Sequence, residues 1–143
     1  MRNQGWTILE LLIVALIISL CGGIVIVRFI EVRALQTLQA TAQILAMDLS
    51  SLRVRAVSLN EPLSVVIGPE GRTYGLAVRK MKPERWVVLP PGIRVTAAPS
   101  APVTFYSRAN AAPAGTFVLT SQRAGSARVV VAPFGRIRWE WLP

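Results

Sequence analysis

One carboxylate and one pair of guanidiniums are the groups in this sequence whose type and place could do chemistry. Glu10 is the only charged residue between Trp6 and Val27. A carboxylate in such a run costs roughly a few kcal/mol in hydrocarbon unless it meets a cation or reaches water. Two readings follow: Glu10 pairs with a positive group, or it sits at headgroup level as an acid favoured by a helix N-terminus. Near the other end, Arg136-Ile137-Arg138-Trp139-Glu140-Trp141 alternates strictly between polar and apolar. As a strand it puts Arg136, Arg138 and Glu140 on one face and Ile137, Trp139 and Trp141 on the other, the apolar face toward a core. Side chains two apart on a strand stand about 7 Å apart, close to two base steps, so both arginines can reach phosphates of one DNA strand. The same pair also makes a solvated edge that discourages sheet aggregation.

Enzyme chemistry has little footing. Histidine is absent, and the single cysteine, Cys21, lies inside the apolar run. That removes the imidazole base, the Cys/His pair and His-based zinc sites together, and it leaves no intrachain disulfide. No nucleophile with its base, metal cluster or phosphate loop is visible, so no catalytic residue, metal ligand or cofactor is assigned. Charge is more informative: 16 Lys and Arg stand against 7 Asp and Glu, and 14 of the basic residues are arginine. Arginine's fork suits phosphate or carboxylate. From Asn60 onward there are 11 basic and 4 acidic residues, a balance of +7. Such a segment fits DNA, another anionic partner or a membrane surface. Arg79-Lys80-Met81-Lys82 with Arg85 forms a second basic cluster, read as a solvated loop or a further anion contact.

The elements that must position these groups follow from pattern. A length of 143 residues allows one compact domain and an extended element. The mean hydropathy of +0.49 is high for such a domain, and the excess sits at the N-terminus. Leu11 to Val27 carries no charge over 17 residues, and with the residues from Trp6 it is long enough to cross a bilayer core as a helix. A secretory signal peptide would end in a small-residue cleavage site, whereas here the helical pattern continues past Val27. Arg2 precedes the run and Arg28 and Arg33 follow it, so positive charge alone does not orient the span. Gly22-Gly23 costs on the order of 1 kcal/mol per residue relative to alanine, and reads as close packing of neighbouring helices.

Leu35, Leu38, Ala42, Leu45, Leu49, Leu52 and Ala56 then recur at steps of three and four, one apolar helix face ending near Ser58 to Asn60 ahead of Pro62. That face packs on a head domain, with a free coiled coil as the alternative. After Pro62, β-branched and aromatic runs separated by Gly and Pro predict antiparallel strands at Leu63–Ile67, Tyr74–Val78, Trp86–Leu89, Ile93–Thr96, Val103–Tyr106, Thr116–Thr120 and Arg128–Ala132. Gly68 to Gly71 makes a turn, Ala124-Gly125-Ser126 falls in the link before Arg128, and Pro99 to Pro102 and Asn110 to Gly115 are loops.

Gly5-Trp6-Thr7-Ile8-Leu9-Glu10-Leu11-Leu12-Ile13-Val14 resembles the class III signal of type IV pilins and pseudopilins. The resemblance implies cleavage after Gly5 by a prepilin peptidase, N-methylation of Trp6, and a role for Glu10 in drawing the N-terminal amine of a neighbouring subunit during assembly. Pairing those charges across subunits would relieve two unfavourable groups at once. Trp6 stands where the family usually has phenylalanine, and Val27 where it often has proline. The head, from Val103-Thr104-Phe105-Tyr106 through Gly135-Arg136-Ile137-Arg138, resembles H-type minor pseudopilins and FimT-like minor pilins. Some FimT-like proteins bind DNA through a Gly-Arg-x-Arg motif in this segment, a pattern that residues 135–138 match.

The family likeness therefore implies an α+β, pilin-like fold: a leader at 1–5, a membrane-spanning filament-core helix at 6–27, an amphipathic stalk at 28–60 and a β-rich basic head at 61–143. It implies a minor pilin or pseudopilin that initiates or caps a type IV pilus, competence filament or type II secretion pseudopilus. DNA uptake through Arg136 and Arg138 is the alternative. Expected partners are the prepilin peptidase, other pilin-like subunits and the bacterial inner membrane, with the head in the periplasm or outside.

Overall fold

The computed structural model describes residues 7–78 and 82–142, and for 22–27 and 77–78 it describes the backbone alone. Met1 to Gly5, Trp6, and Arg79, Lys80 and Met81 of the second basic cluster lie outside the described residues. The chain divides into two compact units, Met1–Arg33 and Ala34–Pro143, and one helix, α1 (Ile8–Leu59), contributes to both.

In the first unit Thr7 starts α1. Its carbonyl accepts from the amides of Glu10 and Leu11 at 3.0 and 3.2 Å, and its Oγ1 accepts from Glu10 N at 3.3 Å, an N-cap arrangement. Glu10 lies in the first turn, where the helix dipole favours an acid. The side chains from Ile8 to Cys21 are all exposed. The helix runs through Gly22 and Gly23 without a break. Among the described residues no helix is long and apolar enough to cross a membrane. The run Leu11 to Val27 falls only partly within them, because the side chains of 22–27 are not described. Beyond it, Arg28 pairs with Glu31 at 3.2 Å, and the Arg33 guanidinium stands 5.1 Å from the centre of the Phe29 ring.

In the second unit α1 buries one stripe, Leu38, Ala42, Leu45, Leu49, Leu52 and Ala56, each at most 2% exposed. Leu35, expected on that stripe, is 43% exposed, because the packed core starts one turn later, at Leu38. The helix ends in a paired cap. Asn60 takes a left-handed conformation (φ 52°), its amide bonds to Val57 O at 3.2 Å, and Glu61 N bonds to Ala56 O at 3.2 Å. Pro62 then prevents any continuation.

Among the described residues nine strands follow: β1 (Leu63–Ile67), β2 (Thr73–Val78), β3 (Arg85–Val88), β4 (Ile93–Ala97), β5 (Val103–Phe105), β6 (Ala111–Ala112), β7 (Gly115–Ser121), β8 (Gly125–Val131) and β9 (Ile137–Leu142). They form two sheets with antiparallel pairing throughout, ordered β3-β2-β1-β5-β6 and β4-β7-β8-β9. Both sheets and the helix stripe share one core, to which Leu63, Tyr74, Phe105, Phe117, Leu119 and Val129 contribute large buried side chains. The stripe is therefore satisfied within the chain, which answers the coiled-coil alternative. Tyr74 adds a polar tie between helix and sheet: its hydroxyl donates to Asp48 Oδ2 at 2.6 Å.

Three further sequence-based expectations need correction. Ala111–Ala112 is a short strand pairing with Thr104 and Phe105, within a segment read as loop. Gly125 and Ser126 belong to β8, opposite Ser121 and Thr120, so the turn is confined to 122–124. Trp141 is 42% exposed although its alternation marks it as core; β9 is the edge strand of its sheet among the described residues, and Trp141 meets Trp139 edge-on at 6.0 Å.

Candidate functional site

The β8–β9 hairpin carries the arginines singled out in the sequence, and its geometry separates them. β9 begins at Ile137, so Arg136 lies in the turn and not on the strand. The turn is closed by Gly135 N to Ala132 O and Ala132 N to Arg136 O, both 2.9 Å. Gly135 has φ 72°, and a Cβ there would overlap the Ala109 carbonyl oxygen. Only glycine fits both requirements. Arg53 of α1 fixes the same turn by donating from Nη1 to Gly135 O at 2.7 Å.

Arg138 and Glu140 do lie on β9, opposite Val130 and Arg128. Glu140 is the hub of that face. Its Oε2 accepts from Arg128 Nε at 2.9 Å and Nη2 at 2.6 Å, and its Oε1 stands 3.0 Å from Arg138 Nε. The Arg128 hydrogen bonds, helped by the charge of Arg138 and opposed by partial burial, hold the Glu140 carboxyl below its usual range. A phosphate approaching Arg138 must compete with this internal carboxylate. Arg136 has no ion-pair partner among the described residues and is exposed.

The loop 106–110 adjoins this turn. Ala111 N donates to Pro133 O at 2.9 Å, and Gly135 lies against Ala109. Arg108 is exposed there with no ion pair among the described residues, Tyr106 is 41% exposed and Phe134 is 89% exposed. Two free guanidiniums and two exposed rings thus share one end of the head. The pairing of Arg136 with Arg138 was legible from spacing. The nearness of the Arg108 loop to the Arg136 turn was not, because the segments are brought together only by the Ala109–Gly135 and Ala111–Pro133 contacts.

Glu10, in the other unit, is exposed near the N-terminus of α1, and Trp6, whose amine in a neighbouring subunit is the expected partner, is outside the described residues. Among the described residues no group of His, Cys, Asp or Glu is placed to hold a metal ion. Cys21 is exposed and unpaired.

A long N-terminal helix whose later turns lie on antiparallel sheets is a pilin-like fold, and solved structures bear this out. Two crystal forms of the type IV minor pilin FimU of Pseudomonas aeruginosa match with TM-scores of 0.60 and 0.61 at 22% and 21% identity, each covering 72% of this chain and 92% and 87% of FimU. The minor pseudopilin EpsH of the type 2 secretion system of Vibrio cholerae matches with a TM-score of 0.57 at 15% identity, over 72% of this chain and 95% of EpsH. At these identities the likeness is one of fold. No protein-family model and no curated protein sequence matches the chain.

Proposed function

We propose that this protein is a minor pilin or pseudopilin: a structural subunit, not an enzyme, that helps to initiate or cap a type IV pilus, competence filament or type II secretion pseudopilus. The observation that carries the reading is the conjunction of a head sharing its fold with a minor pilin and a minor pseudopilin and the Gly5 to Val14 segment ahead of it. In this account a prepilin peptidase removes Met1 to Gly5 and methylates Trp6. The apolar helix holds the chain in the inner membrane with the head on the far side, and Glu10 draws the amine of Trp6 of an adjacent subunit into register. The exposed side chains from Ile8 to Cys21 fit that role, since they have no cover among the described residues and would bury against lipid or other stalks. The test is assembly: the chain produced with the other subunits of its filament should be recovered in sheared filaments, and chain confined to membranes would refute it.

A second reading, DNA contact by the head, draws support from the free guanidiniums of Arg136 and Arg108 beside exposed Phe134 and Tyr106. Arginine on phosphate with bases stacked on rings is the usual chemistry of such surfaces. In this form the motif acts through Arg136 first, with Arg138 released only when Glu140 gives way. Mobility shift with Arg136→Gln tests it; unchanged salt-dependent retardation would remove this residue from the site.

A further inference from the structure

Away from the β8–β9 hairpin, two turns of the head meet beside Ala34 and Thr37, the first turn of α1 in the second unit. One is Pro90-Pro91-Gly92-Ile93, closed by Ile93 N to Pro90 O at 3.2 Å, with Gly92 at φ 84°. Pro at its second position and a positive-φ glycine at its third define a type II turn, which is rigid. The other joins β7 to β8, and the two are tied by Gln122 N donating to Gly92 O at 3.3 Å. Around them lie two adjoining cavities of about 330 and 380 Å³ that share Pro91, Gly92, Ile93 and Gln122. Arg123 lines one, and Arg72 and Arg94 line the other; no acidic residue lines either. Arg94 and Arg123 are exposed and unpaired among the described residues, while Arg72 is held only loosely, 3.5 Å from Glu70.

We propose that this groove binds the phosphate headgroups of anionic phospholipids, with Arg72, Arg94 and Arg123 as its contacts. The charge is complementary, and the guanidiniums are spread around a concave, pre-formed floor, which suits several discrete headgroups. A continuous polyanion would be better served by a stripe. The groove also opens beside Ala34, which follows Val27, the last residue of the charge-free run, by seven positions in the sequence. With the chain held in lipid by that run, the short tether to Ala34 limits how far the groove can stray from the headgroup layer, where each arginine is favoured. For this last point the inference rests on the membrane-anchored reading above. The binding test does not, so the two can fail separately.

Residues 34–143 form one compact unit and contain every buried core residue among the described residues, so the experiment uses this head. The head is sedimented at low ionic strength with vesicles of phosphatidylcholine, with and without phosphatidylglycerol. We expect binding only to the anionic vesicles and release by salt. Arg94→Gln and Arg123→Gln should each lower the partition about fivefold, and together about twentyfold. Arg94→Lys should retain most of the binding, and Arg55→Gln, 21 positions along α1 from Ala34 and outside the groove, should change it less than about twofold. Three results would each overturn the proposal: no preference for anionic vesicles; an equal loss with Arg55→Gln, which would mean diffuse charge; or full displacement by millimolar inorganic phosphate or by duplex DNA, which would make the groove a free-anion or nucleic-acid site. Circular dichroism of each variant confirms the fold.

Discussion

Replacing Tyr74 with phenylalanine removes one hydroxyl and leaves the packing of the ring in place. Tyr74 is 1% exposed, and its hydroxyl donates to Asp48 Oδ2 at 2.6 Å, tying β2 to α1. A hydrogen bond to a charged acceptor contributes about 1.5–3 kcal/mol, so Tyr74→Phe should destabilise the head by about 2 kcal/mol at neutral pH. The effect should also depend on pH in a definite direction. Burial first, then the hydrogen bond and charge of Asp48, raise the Tyr74 pKa well above its ordinary value of 10.0, with Arg85 opposing. A folded-state pKa above the unfolded one means that the stabilisation is fully present below pH 10. It is then lost as pH rises, by up to about 1.4 kcal/mol per pH unit. Phenylalanine has no proton to lose, so the two stability curves should converge above pH 10 and meet near about pH 11.5. Urea denaturation of residues 34–143, wild type and variant, from neutral to alkaline pH measures this directly. Parallel curves, or a difference below about 0.5 kcal/mol at neutral pH, would refute the buried, charge-assisted bond.

Other perturbations probe the turn, the hub and the stalk. Gly135→Ala combines positive φ with overlap at the Ala109 carbonyl and should lower stability by at least about 2 kcal/mol, read as a shift in the urea midpoint. Glu140→Gln should release Arg128 and Arg138; if the head contacts DNA, affinity should rise and the salt dependence of log K should steepen by about 0.9 per added phosphate contact in mobility-shift titrations. Because the Glu140 pKa is lowered in the fold, its stabilisation is fully present above its unfolded value of 4.5 and is lost as pH falls through the lower folded value; thermal melts of the Gln variant should lack that acid loss. Glu10→Ala should leave leader cleavage intact and reduce recovery in filaments, measured by comparing membrane and sheared fractions.

Local rules carried much of this molecule. The stripe from Leu38 to Ala56, the helix stop before Pro62 and most strand positions depend on period and turn residues that neighbours in sequence decide. The two-sheet order was not legible, since β1 pairs with β5 and β4 with β7 across intervening strands. β6 escaped notice because two alanines carry no strand signal and are held by Thr104 and Phe105. At the site, spacing found Arg136 and Arg138 yet could not show that the turn through Gly135 takes in Arg136 and leaves only Arg138 on the strand. Nor could it show that Glu140, two residues on, holds Arg138 and reaches across to Arg128. The Asp48–Tyr74 tie joins residues 26 apart and has no local signature.

The central claim is that the N-terminal segment is a prepilin signal on a pilin-like subunit. Intact-mass and N-terminal peptide analysis of the full chain, made with and without a prepilin peptidase, tests it most directly. The account predicts that with the peptidase the chain begins at Trp6, carrying one methyl group, and that without it Met1 to Gly5 are retained. A chain left uncut by the active enzyme, or cut elsewhere, would contradict it.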